Sequence, residues 1–179
     1  MKFINTGIGG LILIEPRVHN DHRGFFLESY SAKTFAEAGI DCVFVQDNHS
    51  KSTAKGVIRG LHFQTAPYEQ SKLVRVIRGA IFDVAVDLRP ESPTYGQWKG
   101  FELTERNFNM LFIPKGFAHG FCTLEENTEI VYKVDNPYSP NHDTGIIWND
   151  PALAIDWPVD EPVLSDKDRN LGRLEPKKN

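Results

Sequence analysis

The sequence predicts an all-β protein that folds as a sandwich or a barrel. Short apolar segments with the two-residue period of strands follow one another through most of the first 134 residues. Turn-forming residues separate several of these segments, for example at Gly79 and in residues 114–116. Many short, closely spaced strands with a single clear helical candidate are typical of these two architectures.

Ten segments are predicted to form strands because each is short, apolar and at least partly alternating. In chain order they are residues 11–14, 25–30, 43–47, 57–63, 72–77, 81–88, 98–103, 109–113, 119–123 and 129–134. The clear helical candidate spans residues 31–38, with Ser31 as its N-cap and Gly39 as its C-terminal stop. After Pro151 the pattern loosens, so the C-terminal segment is predicted to wrap around the sheets, with one or two short helices around residues 165–170.

Length and composition predict one domain, residues 1–179, large enough to bury a core of its own. The formal net charge of −4 gives no reason to expect nucleic acid or an anionic membrane as a partner. Cys42 and Cys122 have apolar neighbours and no metal-type spacing, so we expect buried free thiols. The first residues do not resemble a signal peptide, and no stretch reaches the ~20 apolar residues of a membrane span, so a cytoplasmic location is expected.

The strand predicted at residues 57–63 carries two residues that suggest chemistry, Arg59 and His62. Strict alternation would place these two side chains on opposite faces of the sheet. Gly60 lies between them and could host a β-bulge, which would turn one of the two side chains into the same cavity as the other.

An imidazole and a phenol are candidates for proton transfer. His62 is a candidate general base, because imidazole exchanges protons near neutral pH. Such a base needs an orienting carboxylate, and Asp168 in the C-terminal segment is a candidate, although residues so far apart cannot be paired by pattern alone. Tyr132 shares one face of its predicted strand with Ile130 and Val134, and the alternative interpretation is a core phenol whose hydroxyl is satisfied.

Phosphate-type recognition is indicated by Arg23, Arg59 and Lys72, which lie in strand-like surroundings. The guanidinium fork of arginine matches phosphate oxygens, and such contacts are strongest where water is excluded. The alternative is that each of these cations is a surface residue covering its own strand. The apolar neighbours of Arg59 favour the functional interpretation at that position.

A metal site is a further possibility, because two segments have the form of cupin metal motifs. Residues 114–119 match P-x-G-x-x-H and end in His119, and Gly56 followed by His62 matches the start of G-x5-H-x-H. Gln64 stands where the second histidine of that motif would be, and Glu69 falls near its carboxylate. A three-ligand site stays possible, but with one histidine fewer we expect no metal, and a lumen that works by proton transfer and fixed charge.

The chain resembles one family closely, the dTDP-4-dehydrorhamnose 3,5-epimerases. The matching stretches are residues 21–28, 44–50, 56–64, 70–76, 113–121, 132–134, 138–140 and 164–168, which cover nearly the whole chain in order. The resemblance implies a cupin-type double-stranded β-helix, a jelly-roll barrel with short peripheral helices. It also implies catalysis without a metal or other cofactor.

The resemblance also implies a role for each catalytic candidate. His62 is expected to remove the protons at C3 and C5 of a 4-keto sugar, with Asp168 as its partner. Tyr132 is expected to return a proton from the opposite face. Lys72 would lie near the C4 oxygen and stabilise the enolate.

The substrate-binding residues that the resemblance implies form a longer set. Six match nucleotide-binding positions: Arg23, Glu28, Gln46, Asp47, Asn48 and Arg59. His119 matches a substrate contact, Tyr138 would stack on thymine, and Asp143 and Lys167 match further ligand contacts. The family usually has glutamate where this chain has Asp143, which puts that one contact in doubt. Residues at positions 23 and 28 reach the neighbouring subunit's site in the family, so a homodimer is expected.

The predicted function is therefore inversion of C3 and C5 of dTDP-4-dehydro-6-deoxy-D-glucose, giving dTDP-4-dehydro-L-rhamnose. One alternative is a mono-epimerase that inverts only C3 or C5 of a related dTDP-4-keto-deoxysugar. Another is a cupin that binds a nucleotide sugar without catalysis, although the residue types at positions 62, 72, 132 and 168 speak against it. A metal-dependent cupin oxygenase or isomerase is the weakest alternative, because Gln64 replaces a ligand.

Overall fold

The structure is a computed structural model that describes residues 1–177. It contains thirteen strands and two short helices within those residues. The strands are β1 (Lys2–Asn5), β2 (Ile12–Glu15), β3 (Val18–Asp21), β4 (Gly24–Leu27), β5 (Gln46–Ser52), β6 (Ile58–Gln64), β7 (Lys72–Arg78), β8 (Ala80–Asp87), β9 (Trp98–Thr104), β10 (Met110–Ile113), β11 (Phe117–Thr123), β12 (Thr128–Val134) and β13 (Asp143–Gly145). The helices are α1 (Ala32–Glu37) and α2 (Asp166–Arg169).

Two antiparallel sheets form the body of the molecule. The larger sheet has the strand order β1-β2-β10-β7-β12-β5, and the second has the order β13-β6-β11-β8-β9. β3 and β4 form a separate hairpin. Neighbours in a sheet are rarely neighbours in sequence, so the chain crosses repeatedly between the two sheets. The all-β prediction is confirmed.

The main core lies between the two sheets, because alternate residues of strands from both sheets point towards each other. Val74 and Ile130 from the larger sheet meet Ile81, Ala85 and other inward residues of the second sheet in one buried cluster. The outer face of the second sheet is covered by the segment after β13, which includes Trp157. The outer face of the larger sheet is partly covered by α1 through Phe35.

Both helix predictions are confirmed. Ser31 caps α1, its hydroxyl accepting a hydrogen bond from Thr34 N, and Gly39 follows with a φ of 82° that favours glycine. The predicted short helix near the C-terminus is α2, and its N-cap is Ser165.

All ten predicted strands exist, but three strands were missed. β1 follows Met1 directly, β3 is a polar run of a hairpin, and β13 has the sequence Asp-Thr-Gly, so none of the three carries an apolar alternation. The strand predicted at 43–47 begins only at Gln46 and continues to Ser52, because Val43 and Val45 lie exposed before it. The strand predicted at 25–30 ends at Leu27.

Both cysteines are free, as predicted. Cys122 is buried in the second sheet, whereas the expectation of burial is wrong for Cys42, which is only half-buried. Cys42 lies at the margin of the cluster around Phe35, where only one side of it is packed. Burial raises the pKa of both thiols to about 11.

Candidate active site

A cavity of about 330 Å³ opens between the two sheets at one end of the core. Strands of both sheets, together with α2 and its N-cap, contribute side chains to it. The lining residues are Ser50, Arg59, His62, Lys72, His119, Phe121, Ile130, Tyr132, Ser165, Lys167 and Asp168. The structure therefore brings the four catalytic candidates of the sequence, His62, Lys72, Tyr132 and Asp168, to one place.

Strand alternation explains why the larger sheet supplies a phenol and an ammonium. Tyr132 packs on the same inner face as Ile130, as the sequence predicted. Lys72 is the first residue of β7, in the inward lane that continues with Val74 and Val76. It is buried because the strand begins inside the sheet, where Lys72 pairs with Ile113 and Val134 of the neighbouring strands.

A β-bulge in β6 explains why Arg59 and His62 line the same cavity. β11 pairs His119 with His62 and Phe121 with Arg59, so three steps on β6 oppose two steps on β11. The extra residue lies at Gly60, which has a φ of 123°. A Cβ on Gly60 would lie 2.5 Å from Gly120 Cα, so only glycine fits. The predicted bulge is confirmed.

His62 and Asp168 form a close pair at the wall of the cavity. His62 Nε2 lies 2.5 Å from Asp168 Oδ1. Ser165 donates its hydroxyl hydrogen to Asp168 Oδ2 at 2.8 Å and accepts from Asp168 N at 3.1 Å. The cap of α2 therefore fixes the carboxylate that faces the imidazole.

The protonation of this pair follows from its contacts. Burial alone would raise the pKa of Asp168, but the hydrogen bonds from His62 and Ser165 outweigh burial, so the pKa lies below its usual value. An ionised carboxylate only accepts hydrogen bonds, so the shared proton belongs to Nε2 of His62. Nδ1 is then the ring nitrogen that is left to accept a proton.

Beside this pair lies a second one, His119 with Asp83, because β11 pairs His119 with His62. His119 Nε2 lies 2.7 Å from Asp83 Oδ1, and both side chains are buried. Burial lowers the pKa of His119 against the opposing charge of Asp83, and the charge of Lys72 lowers it further. Asp83 Oδ2 is buried, and within residues 1–177 it has no hydrogen-bond partner.

The surroundings of Lys72 make its amine less basic than that of an exposed lysine. Burial lowers the pKa of Lys72 to about 8, and the charges of Asp83 and Asp143 oppose that effect, while Lys167 adds to it. Tyr132 shows the reverse shift, because burial raises the pKa of its phenol and Arg59 opposes the rise. At neutral pH the cavity thus holds a protonated phenol and a protonated amine.

A second, smaller cavity of about 150 Å³ adjoins the first and shares His62, Lys72, Tyr132 and Lys167 with it. Its other lining residues are Gln46, Asn48, Phe63, Gln64, Gln70, Tyr138 and Asp143. Asp143 Oδ2 accepts from the hydroxyl of Tyr138 at 2.9 Å and from Lys167 Nζ at 2.5 Å. The ring of Tyr138 is exposed above this cluster.

Three of the predicted binding residues lie elsewhere. Arg23 is exposed on the β3–β4 hairpin, where it pairs with Asp21, and Glu28 is exposed just after β4. The side chain of Asp47 lies on the outer face of its sheet, 2.8 Å from Lys133. Within one chain these side chains do not reach the cavity, and their predicted roles stay predictions.

Two residues that contact the ionisable side chains of the site were missed from the sequence. Asp83 interrupts the apolar strand β8 on the inward lane of Ile81 and Ala85, and a carboxylate in such a strand indicates a candidate functional residue. Ser165 was recognised as the start of a short helix, but its contact with Asp168 depends on the cap geometry.

The polar atoms of Gln64, at the position of the second histidine in the cupin metal motif, bond to the protein backbone. Its amide is turned to the loop that follows β12. Among residues 1–177, no group of three or more His, Cys, Asp or Glu side chains is placed to hold a metal ion. Nor does that part of the chain contain a helix long and apolar enough to cross a membrane.

The arrangement supports proton transfer at a carbon next to a carbonyl group. A base, an acid and a cation surround one space, so a C–H bond can be broken on one side and formed on another while negative charge is stabilised.

Comparisons with known proteins agree with this chemistry. Residues 5–176 match the family model described as dTDP-4-dehydrorhamnose 3,5-epimerase. The chain is 54% identical over 171 residues to the dTDP-4-dehydrorhamnose 3,5-epimerase of Shigella flexneri, covering 95% of this chain and 94% of the relative. It is 41% identical to a dTDP-4-dehydrorhamnose 3-epimerase of Streptomyces niveus, over 95% of this chain and 82% of that protein.

Solved structures match as well. A crystal structure of the Bacillus anthracis 3,5-epimerase with TDP and PPi bound superimposes with a TM-score of 0.95 at 54% identity, over 97% of this chain and 99% of that one. A 3,5-epimerase from Legionella pneumophila in complex with dTDP-4-keto-L-rhamnose has a TM-score of 0.90 at 47% identity, over 98% of this chain and 99% of that one. These matches confirm the cupin-type barrel.

Proposed function

This chain belongs to the dTDP-4-dehydrorhamnose 3,5-epimerase family, and on that premise we infer that it catalyses the reaction of the family. It inverts C3 and C5 of dTDP-4-dehydro-6-deoxy-D-glucose to give dTDP-4-dehydro-L-rhamnose in the biosynthesis of dTDP-L-rhamnose. Relatives about half identical over nearly the full chain support this activity. A nucleotide-sugar epimerase also fits the cytoplasm, which is the location that we propose.

One observation carries the catalytic assignment. His62 with its partner Asp168, the phenol of Tyr132 and the ammonium of Lys72 line the same cavity. Inversion needs a base and an acid that approach one carbon from different sides, because a single group returns the proton to the face from which it came. The second sheet supplies the base and the larger sheet supplies the acid.

The proposed mechanism moves one proton at a time. Nδ1 of His62 takes the proton from the carbon next to the ketone, and the electrons of the C–H bond pass into an enolate whose negative charge lies on the C4 oxygen. Lys72 lies beside that oxygen and stabilises the charge, an effect worth several kcal/mol in a site without water. Tyr132 then protonates the carbon from the other face, and solvent restores both groups. The same cycle serves C3 and C5.

The adjoining small cavity is the proposed site of the nucleotide. Tyr138 would stack on the base, while Gln46, Asn48, Asp143 and Lys167 surround it. Arg59 and Lys167 supply positive charge for the diphosphate. His119 would contact the sugar from the floor of the larger cavity.

We also propose a homodimer, in which Arg23 and Glu28 complete the site of the neighbouring subunit. The β3–β4 hairpin leaves Phe25 and Phe26 exposed by 54% and 70%. The outer face of the larger sheet has a groove with a volume of about 320 Å³. Arg75 lines this groove, and its Nε is buried and has no hydrogen-bond partner in the described part of the chain. Apolar rings and a carboxylate from a second copy would fit this surface. Native mass spectrometry should show a dimer for the native protein and a monomer for Phe26→Asp.

The function is tested by incubating the protein with dTDP-4-dehydro-6-deoxy-D-glucose in heavy water and counting deuterium in the sugar by NMR. Label at both C3 and C5 supports the double epimerase. Label at one carbon would indicate a mono-epimerase, the alternative that the more distant Streptomyces niveus relative represents. No label would indicate a protein that only binds the nucleotide sugar.

A further inference from the structure

The ring of Tyr138 is exposed, yet its ends are held in place. The side chain is 56% exposed. Its backbone N–H donates to Gln46 Oε1 at 3.1 Å, and its hydroxyl donates to Asp143 Oδ2 at 2.9 Å. A ring held in this way offers a flat apolar surface with little rotational freedom to lose on binding.

Gln64 holds the backbone on both sides of this ring. Its side-chain Nε2 donates to Pro137 O at 3.3 Å, and its Oε1 accepts from Ser139 N at 2.7 Å. Pro137 and Ser139 are the two chain neighbours of Tyr138. Only a side chain with a donor and an acceptor on one planar group makes both contacts at once, and an amide is such a group.

The same amide also ties this loop to the one after β6, because Nε2 donates to Tyr68 O at 2.6 Å. Gln64 is 5% exposed and lies two residues from His62 on β6. The strand that carries the proposed base therefore also determines where Tyr138 lies. This position is the one that would carry the second histidine of a cupin metal motif, and its polar atoms are used here for the loop.

We propose that Gln64 is a positioning residue that holds Tyr138 as a preformed stacking surface for the nucleobase of the substrate. The inference rests on the proposed function, since it needs a nucleotide in the smaller cavity. Gln64 affects binding through Tyr138 and not through the reacting carbons, because its polar atoms are occupied by the loop backbone.

A purely structural role for Gln64 makes a different prediction. A buried amide that only stabilises the fold would, when removed, lower stability and weaken every function in proportion. A positioning role predicts a loss that depends on the presence of the Tyr138 ring. A double-mutant cycle separates the two, because residues that act through one another are not additive.

The experiment measures the affinity for dTDP by calorimetry, and kcat and KM for the keto sugar, in four proteins: the native chain, Gln64→Met, Tyr138→Ala and the double variant. Gln64→Met keeps the size of the side chain and removes its hydrogen bonds. We expect Gln64→Met to weaken dTDP binding and raise KM by about tenfold, with kcat changed less than about twofold. In the Tyr138→Ala background the same change should alter dTDP affinity less than about twofold.

Two further variants act as controls. Gln97→Met makes the same change at an exposed glutamine outside the site and should leave binding and turnover unchanged. Gln64→Glu keeps the acceptor for Ser139 N but turns its other oxygen towards Pro137 O and Tyr68 O, which cannot donate to it, so it should also weaken dTDP binding. It replaces Gln64→Met in the cycle if that variant does not fold. Amide hydrogen exchange at Ser139 should accelerate in Gln64→Met and stay slower in Gln64→Glu.

Equal losses in both backgrounds, no loss of dTDP affinity, or a fall in kcat as large as the fall in kcat/KM would each overturn the role of Gln64. A native protein without dTDP binding or epimerase activity would instead overturn the proposed function. Native activity with an additive cycle would leave that function in place and remove only the inference about Gln64.

Discussion

Two histidine–carboxylate pairs lie at one cavity, which both imidazoles line, and the pairs differ mainly in burial. The side chain of His62 is 29% exposed and that of its partner Asp168 is 5% exposed, whereas the values for His119 and Asp83 are 8% and 0%. The first pair joins β6 to α2 at the cavity wall, and the second joins neighbouring strands in the core.

This difference in burial distinguishes a pair that exchanges protons with the substrate from a pair that changes the electrostatic potential in the cavity. A base must reach the substrate and then return its proton to solvent, and the more exposed His62 meets both needs. His119 is held neutral by burial, which lowers its pKa. The charge of Asp83 instead acts on Lys72, whose pKa it keeps from falling further. A histidine paired with an aspartate thus has a different role in each of the two places, and the degree of burial determines that role.

The largest expected effect comes from removing the exposed imidazole. His62→Ala should lower kcat by at least about 10³-fold, because it removes the proposed base, and should abolish deuterium incorporation at C3 and C5. NMR of the sugar in heavy water measures both. His119→Ala should reduce the rate but retain exchange. If His119→Ala abolished exchange and His62→Ala did not, the roles of the two pairs would be reversed.

Changing Asp168, the partner of the base, should lower kcat almost as much. Asp168→Asn can donate a hydrogen bond to Nε2 of His62, which favours the tautomer with its proton on the wrong nitrogen. We expect kcat to fall by roughly 10²–10³-fold with the fold intact. Asp166→Asn, at an exposed position of the same helix, is the matched control and should retain the native rate. Equal rates for the two variants would show that Asp168 does not orient the base.

The pH dependence tests the state of Lys72. Its pKa lies near 8, below the usual value of a lysine, so the ammonium is present below that pH and is lost as pH rises through it. We expect kcat/KM to fall about tenfold per pH unit above about pH 8. Stability should change in the opposite sense: between about pH 8 and 10 the unfolded chain binds the proton that the folded chain has lost, so Lys72 makes unfolding less favourable as pH rises. In Lys72→Gln, the residual kcat/KM should no longer fall above about pH 8.

The smallest of these effects concerns the buried carboxylate. Asp83→Asn removes a negative charge near Lys72, so the pKa of Lys72 should fall below 8 and the alkaline limb of kcat/KM should move to lower pH. At pH 8 we expect a loss of about fivefold. Asp160→Asn, which removes an exposed charge, should leave the profile in place. An unshifted limb in Asp83→Asn would show that its charge does not act on Lys72.

Much of this site could be predicted from local sequence, because alternation alone places Tyr132 and Lys72 on inward lanes. The bulge at Gly60 was also predictable, since a glycine stood between two polar residues that needed the same face. The contact between His62 and Asp168 was not, because it depends on how the C-terminal segment packs. The need of a base for a carboxylate made Asp168 a candidate, and the family resemblance was required to pair the two residues. β13 was missed for a similar reason: its polar sequence becomes a strand through pairing with β6, and this pairing places Asp143 opposite Gln64.

The proposed base and acid approach the same carbon from opposite faces, and this arrangement is tested by Tyr132→Phe in heavy water. Without the phenol, His62 should still remove the proton from C5 and return deuterium to the face from which the proton came. We expect labelled substrate with its configuration at C5 retained. Tyr95→Phe is the control, because the Tyr95 hydroxyl donates to Glu175 O outside the cavity, and it should still give inverted product. Inverted, labelled product from Tyr132→Phe, or no exchange at C5, would rule out these roles for His62 and Tyr132.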